Sequence, residues 1–278
     1  MLDYWLNLTV SGSTLKTFLM LIFIDTNIYL DFYRIRRSDV SMKYLDWIDQ
    51  QNNVILTGSQ IEMEFKKHRQ EVILESVNGL KSPDFGGLNV PAFLAASEPV
   101  KIIGDKKKDV EKQHRKVIER MLKTLKNPTT NDQVYKTLQR LFKNTNNPNN
   151  LHRELELRKE IRELAQKRYF LGYPPRKKND TSIGDAINWE WIIHCAKREN
   201  SSVMIVSRDT DYGVFHKEEA FMNDWLSQEF KERVNRKRSV QLTNKLSAAM
   251  KAVKSQVTRE MVEEEKRIVD ENSNDESK

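Results

Sequence analysis

The stretch LIFIDTNIYLDF, residues 21–32, constrains the fold more than any other. Its first four residues are apolar, mostly branched and uninterrupted. That is the pattern of a strand buried on both faces, and such strands belong to parallel sheets covered by helices. The run stops on a bare carboxylate, Asp25, followed at once by Thr26 and Asn27. NVILTG (53–58) reads as a second strand closed by Gly58, SSVMIVS (201–207) as a third and RSVQLT (238–243) as a fourth. Helical patterns lie between and after them: SQIEMEFKKHRQEVILESV (59–77), TSIGDAINWEWIIHCAKREN (181–200), NKLSAAMKAVKS (244–255) and TREMVEEEKRIVDE (258–271). Ser59 suits an N-cap, with Glu62 three residues on completing a capping box. Strands alternating with helices predict an α/β fold with a parallel sheet.

The chain has 278 residues, 38% hydrophobic and 31% charged, enough for one sizeable core. Its charge is uneven. Residues 101–178 hold 22 Lys+Arg against 9 Asp+Glu, so the rest of the chain is acidic on balance. A basic segment beside an acidic remainder points to a polyanion partner, although solvated helix faces are also Lys-rich. The organisation read from this is an N-terminal extension (1–19), an α/β core (20–65 and 179–245), a mostly helical basic insertion (66–178), C-terminal helices (246–270) and a disordered tail (271–278). Within the insertion, NTNNPNN (144–150) is low-complexity and reads as a mobile loop. The last helix is charged, and its polar faces suit solvent or a partner equally.

Several classes are excluded or weakened. The lone Cys195 cannot form an internal disulfide or a Cys-rich zinc site, and its helical setting suits a small buried residue. The apolar run FLMLIFI is seven residues long, whereas a membrane span needs about 20. It also lacks a small-residue cleavage site, so a soluble cytoplasmic protein is expected. The five histidines are scattered with no H-x-x-x-H pair, which argues against zinc.

In open α/β sheets, sites form at the carboxyl ends of strands. Asp25 follows the first strand; Asp209 and Asp211 follow the third. Glu64 lies on the helix after the second strand, and Asp185 in the first turn of the helix before the third. Each has an ordinary explanation as a cap, turn or surface residue. Together they place four segments' carboxylates at one end of one sheet. Converging carboxylates repel one another and need cations to stay ionised. Oxygen donors favour Mg²⁺ or Mn²⁺, the equipment of two-metal phosphodiester hydrolysis. Glu62 and Glu64 lie about 200° apart on a helix, and Glu190 about 140° from Asp185. Glu64 and Asp185 are therefore the inward candidates, with Asn188 on the side of Asp185.

These residues resemble the motifs of PIN domains, the PilT N-terminus type of metal-dependent nuclease. FIDTNIYLDF is similar to the opening strand ending in Asp-Thr-Asn, TGSQIEMEF to the second motif through Glu64, SIGDAINWEWI to the third through Asp185, and IVSRDTDYG to the fourth, with Asp209 the primary match and Asp211 an auxiliary one. The resemblance covers about 21–65 and 179–245, and implies a PIN-like three-layer α/β/α core. It also implies a divalent-metal ribonuclease, RNA being preferred to DNA. The long second-to-third motif spacing separates this chain from compact toxins, so an antitoxin-type or neighbouring-gene partner stays open, as does oligomeric state.

On this reading Asp25, Glu64, Asp185 and Asp209 are the catalytic metal ligands, with Asp211 a fifth. Thr26, Asn188 and Ser207 orient them, and Asn27 shapes the turn. Arg176, Lys177 and Lys178 are candidates to hold substrate phosphate. Trp189 and Trp191 suit the core better than base stacking. Asp31 matches no motif and reads as a helix-surface residue. The rivals are a catalytically inactive PIN-like RNA-binding scaffold and a structure-specific DNA nuclease. An Asp-nucleophile phosphatase is disfavoured because Asn27 stands where its second acid belongs. An EF-hand reading fails for want of the central glycine.

Overall fold

The computed structural model describes residues 20–81, 84, 86, 89–176, 182–217 and 219–275, with the backbone of 9–10 and 13–14. Lys177 and Lys178 lie outside the described residues. Short strands β1 (Thr9–Val10) and β2 (Ser13–Thr14) pair antiparallel. Then follow β3 (Met20–Ile24), α1 (Thr26–Leu30), α2 (Ser38–Gln50), β4 (Ile55–Gly58), α3 (Ser59–Gly79), α4 (Glu98–Lys126), α5 (Pro128–Asn131) and α6 (Gln133–Phe142). The remainder is β5 (Asn150–Leu151), α7 (Leu157–Phe170), α8 (Gly184–Glu199), β6 (Ser202–Val206), β7 (Gly213–His216), β8 (Glu219–Met222), α9 (Asp224–Arg233), β9 (Val240–Thr243), α10 (Leu246–Ala252) and α11 (Arg259–Asp275).

Five strands form one parallel sheet in the order β5-β4-β3-β6-β9. The fold is therefore α/β with a central parallel sheet flanked by helices, as the alternating pattern predicts. Leu21, Ile22, Phe23 and Ile24 are buried because helices cover the sheet they centre. The chain leaves β3 for β4 on one side and returns to β6 on the other, so β3 is the topological switch point. In such sheets sites form at that point, at the strands' carboxyl ends, and Asp25 directly follows β3 there. Helix α10 packs on β3, β6 and β9, and α8 on β6 and α7. Trp189, Trp191 and Cys195 are buried in α8, and burial pushes the Cys195 thiol well above its ordinary pKa.

Three elements depart from expectation. The Asn-rich run is not a mobile loop. Asn147, Asn149 and Asn150 are buried, and their side-chain amides donate to the carbonyls of Asn52, Asn53 and Phe142 at 2.7, 2.7 and 2.8 Å. These bonds seat β5 on β4, with Thr57 opposite Asn150 and Gly58 opposite Leu151. A Cβ on Gly58 would lie 2.9 Å from Leu151 Cβ and 3.1 Å from its carbonyl oxygen. Gly58→Ala is accordingly expected to cost about 1–3 kcal/mol; an unchanged urea midpoint would contradict this packing. The β7–β8 hairpin and α9 are the second departure, lying where no regular element was expected. The third is α11, which buries Met261, Glu264, Glu265 and Ile268 along one face and packs on α2.

Residues Lys66–Lys136 form a second compact unit. Within it Arg69 is buried and pairs with Asp132 through Nε (2.8 Å) and Nη2 (2.5 Å), while Nη2 also donates to the Thr124 carbonyl. Its helix α4 is 29 residues long and has no buried residue. Lys101, Lys108, Lys112, Arg115, Lys123 and Lys126 fall within about 40° of one line along it. Among the described residues no helix is long and apolar enough to cross a membrane.

Candidate active site

The sheet register dictates the first contact. Ile24 sits opposite Val206, so the next residues on each strand, Asp25 and Ser207, leave the sheet side by side. Ser207 Oγ donates to Asp25 Oδ2 at 2.6 Å. Asp25 also caps α1: its Oδ1 accepts the Thr26 amide at 2.6 Å, and Oδ2 accepts Asn27 Nδ2 at 3.0 Å. The capping and acid-cluster readings of Asp25 are thus compatible. Ser207 Oγ in turn accepts the Asp209 amide at 3.0 Å, which ties the loop acid to the same hydroxyl.

Glu64 arrives from α3, which starts directly after β4. Thr26 Oγ1 donates to Glu64 Oε2 at 3.1 Å and Gln60 Nε2 to Oε1 at 2.6 Å. Thr26 therefore bridges the Asp25 turn to Glu64, and Gln60, one helical turn earlier, was not singled out in the sequence. Its signal was the i, i+4 spacing. Asp185 is in the first turn of α8, whose start presses against Glu64. A Cβ on Gly184 would lie 2.5 Å from Glu64 Oε1 and 2.8 Å from Gln60 Nε2. Only glycine lets α8 bring Asp185 this close. Gly184→Ala is expected to displace Glu64 at a stability cost of about 1–3 kcal/mol. Urea melts of the variant and wild type check it.

The electrostatics place the acids in one neighbourhood. Burial, opposed by the Ser207 bond and reinforced by Asp209 and Glu64, pushes Asp25 up to about 7. The Tyr212 hydroxyl is buried, makes no hydrogen bond among the described residues and is raised well above its ordinary pKa. After burial, its causes are Asp185, Asp25, Glu64 and Asp211. Tyr29, also buried without a hydroxyl partner among those residues, is raised by burial and by Asp25. Neither tyrosine was among the sequence candidates. Among the described residues no group of three His, Cys, Asp or Glu is set as a metal-holding cluster. The carboxylates of Asp25 and Glu64 instead accept the protein donors just named.

Matching residues 22–212 to known families finds the PIN domain. The chain belongs to the PIN-domain family. No curated protein and no solved structure matches it. PIN domains are in general nucleases that act on nucleic acid and use divalent metal ions. The matched span of this PIN domain holds Asp25, Glu64, Asp185, Asp209 and Asp211, and ends on Tyr212.

The remaining candidates scatter. Asn188 is buried one turn after Asp185, its Nδ2 making no hydrogen bond among the described residues. Arg176 lies over the Tyr169 ring at 4.5 Å. Asp31 is not a surface residue: it is 4% exposed and pairs with Arg34 at 3.2 Å and with Arg208. The reason is local. Helix α1 ends at Leu30 and tightens into a 3₁₀ turn, which swings Asp31 inward. Burial brings its partner Arg208 down to about 10, against the opposing charge of Glu265. Arg208 joins Ser207 to Asp209, and its amide donates to Asn27 Oδ1 at 3.3 Å, so the pair anchors the acidic loop.

Proposed function

We propose that this PIN-domain protein is a metal-dependent endonuclease that hydrolyses phosphodiester bonds, with RNA as its substrate. The observation that carries the reading is the convergence of acids from separate segments on one sheet end: Ser207 Oγ bonds both Asp25 and the Asp209 amide, Thr26 bonds Glu64, and Gly184, next to Asp185, packs against Glu64. So many carboxylates gathered at a buried switch point oppose folding unless cations join them.

The donor set is all hard oxygen, which fits Mg²⁺ or Mn²⁺. Asp25, Glu64, Asp185 and Asp209 would hold it, with Asp211 alongside. When bound, the metal supplies charge neutralisation and a more acidic water. The chain's own residues do the positioning. Ser207 fixes Asp25 and Asp209 relative to each other, and Thr26 and Gln60 fix Glu64. Tyr29 and Tyr212 are fully buried near these acids. Arg176, Lys177 and Lys178 remain candidates for distal phosphates, and the basic line on α4 suits a polyanion. We keep the reading of residues 66–178 as a mostly helical basic insertion in the catalytic core, of which 66–136 form the second compact unit, and of the protein as cytoplasmic.

The rival reading is an inactive RNA-binding protein. The test is incubation of purified protein with single-stranded RNA, duplex DNA and flapped DNA, in Mn²⁺ or EDTA, beside Asp185→Asn. Cleavage of RNA that needs Mn²⁺ and Asp185 is expected. Cleavage surviving EDTA would sink the mechanism, and preference for flapped DNA would move the substrate.

A further inference from the structure

A cavity of about 540 Å³ lies beside the sheet, lined by Arg153, Arg158, Lys159 and Arg162 among others. It exists because of β5. The edge strand runs parallel to β4, so Arg153, two residues beyond Leu151, emerges at the same sheet end as the acids. Arg158 and Arg162 are one turn apart on α7 and share a face. Arg158 Nε donates to Ser59 Oγ at 3.1 Å, at the start of the helix that carries Gln60 and Glu64. Glu154, Glu156 and Glu163 also line the cavity, yet among the described residues no carboxylate forms an ion pair with the three arginines. Burial and its neighbours Arg162 and Arg153 lower the Arg158 pKa, the sign of like charges held together.

The three guanidiniums share the cavity with three glutamates but, among the described residues, form no ion pair with them, which leaves their N–H groups open to an anion. Arginine's planar fork matches phosphate oxygens. β5 and β3 are two strands apart in the sheet, about 10 Å, and Arg153 follows β5 at the same sheet end at which Asp25 follows β3. We propose that this cavity is a phosphate subsite, in which Arg153, Arg158 and Arg162 hold the backbone of the nucleic-acid substrate beside the acid cluster. The identity of the ligand rests on the nuclease reading; the anion site rests on the arginines.

The experiment measures binding of a labelled single-stranded oligoribonucleotide to the full chain in EDTA, by anisotropy across a salt series. Each lost phosphate contact flattens the log–log salt slope by about 0.7. That corresponds to about 5-fold in affinity at 0.1 M salt. Arg162→Gln is expected to lose about 5-fold, and the Arg153→Gln/Arg158→Gln/Arg162→Gln triple about 100-fold with a slope lower by about 2. Arg153 and Arg162 hold no bond in the described structure, so their substitution leaves the fold intact, and Arg158→Lys is expected to keep most of the slope. Unchanged affinity and slope in the triple variant would overturn the subsite, even with normal cleavage in Mn²⁺. Arginine-dependent binding with no cleavage under any metal would instead overturn the nuclease reading and leave the subsite standing.

Discussion

Asp25→Asn is expected to abolish RNA cleavage, by at least about 100-fold, while making the metal-free protein more stable at pH 8. The two effects have one cause. The folded protein holds the Asp25 proton up to about pH 7, whereas the unfolded chain releases it near 3.8. Between those values the folded state binds more protons, so its stability falls as pH rises. Asp25's contribution is fully present below about 3.8 and lost as pH passes 7. The difference corresponds to roughly 4 kcal/mol at most. Asparagine removes the charge and the fall with it. It also turns one donor against Asn27 Nδ2, so a net gain of about 1–2 kcal/mol is expected above pH 7. A divalent ion binds only the ionised form, so Mn²⁺ should stabilise wild type increasingly from pH 6 to 8 and leave Asp25→Asn almost unmoved. Thermal melts at three pH values, with and without Mn²⁺, read all of this. A variant that melts lower than wild type in EDTA at pH 8 would contradict the burial and charge assigned to Asp25.

What was legible in the chain follows from local physics. Buried strands announce themselves by unbroken branched runs, and the acids by standing where those runs stop. LIFID, VILTG and SVMIV carried the central sheet, and Asp25, Glu64, Asp185, Asp209 and Asp211 the candidate cluster. What escaped depends on partners far away in sequence. Asn150 and Leu151 make only two residues of strand, and the composition around them reads as a loop. Their order comes from side-chain amides that find carbonyls at Asn52 and Asn53, some 95 residues away. The arginine cavity was hidden for the same reason, since Arg153 reaches the sheet end only once β5 exists. Asp31 matches no motif, and only the tightening of the backbone past Leu30 turns it inward. Gly184 gave no signal of its own, because close approach to Glu64 is visible only when both helices are placed.

Glu190 was set aside in the sequence because it points away from Asp185, and the structure gives it another task that Arg168→Met should expose. Arg168 and Glu190 are 4% and 3% exposed, and join at 2.8 Å. Arg168 also binds Glu229 and the Pro174 carbonyl, and Arg233 returns to Glu190 at 2.6 Å and to Glu229 at 2.7 Å. Trp189 Nε1 donates to Glu229 at 3.2 Å. The group fastens α7, α8 and α9 together on the side of α8 away from Asp185. Burial alone would raise the Glu190 pKa, yet Arg233 and Arg168 hold it below the ordinary value. Methionine keeps the volume of Arg168 but leaves a buried carboxylate with only the more exposed Arg233. Breaking a buried pair from one side costs about 3–5 kcal/mol. The expected loss is therefore about 3 kcal/mol, with a fall in Tm of roughly 2–4 °C per kcal/mol. Adding Glu190→Gln to Arg168→Met should recover part of it, since the unpaired charge is then gone. The pH dependence runs opposite to that of Asp25. A carboxylate lowered by its partners contributes stability above its unfolded value of 4.5 and loses it on acidification. Wild type should therefore lose more stability than Arg168→Met between pH 6 and pH 3, and equal losses would mean that Arg168 does not hold Glu190 ionised.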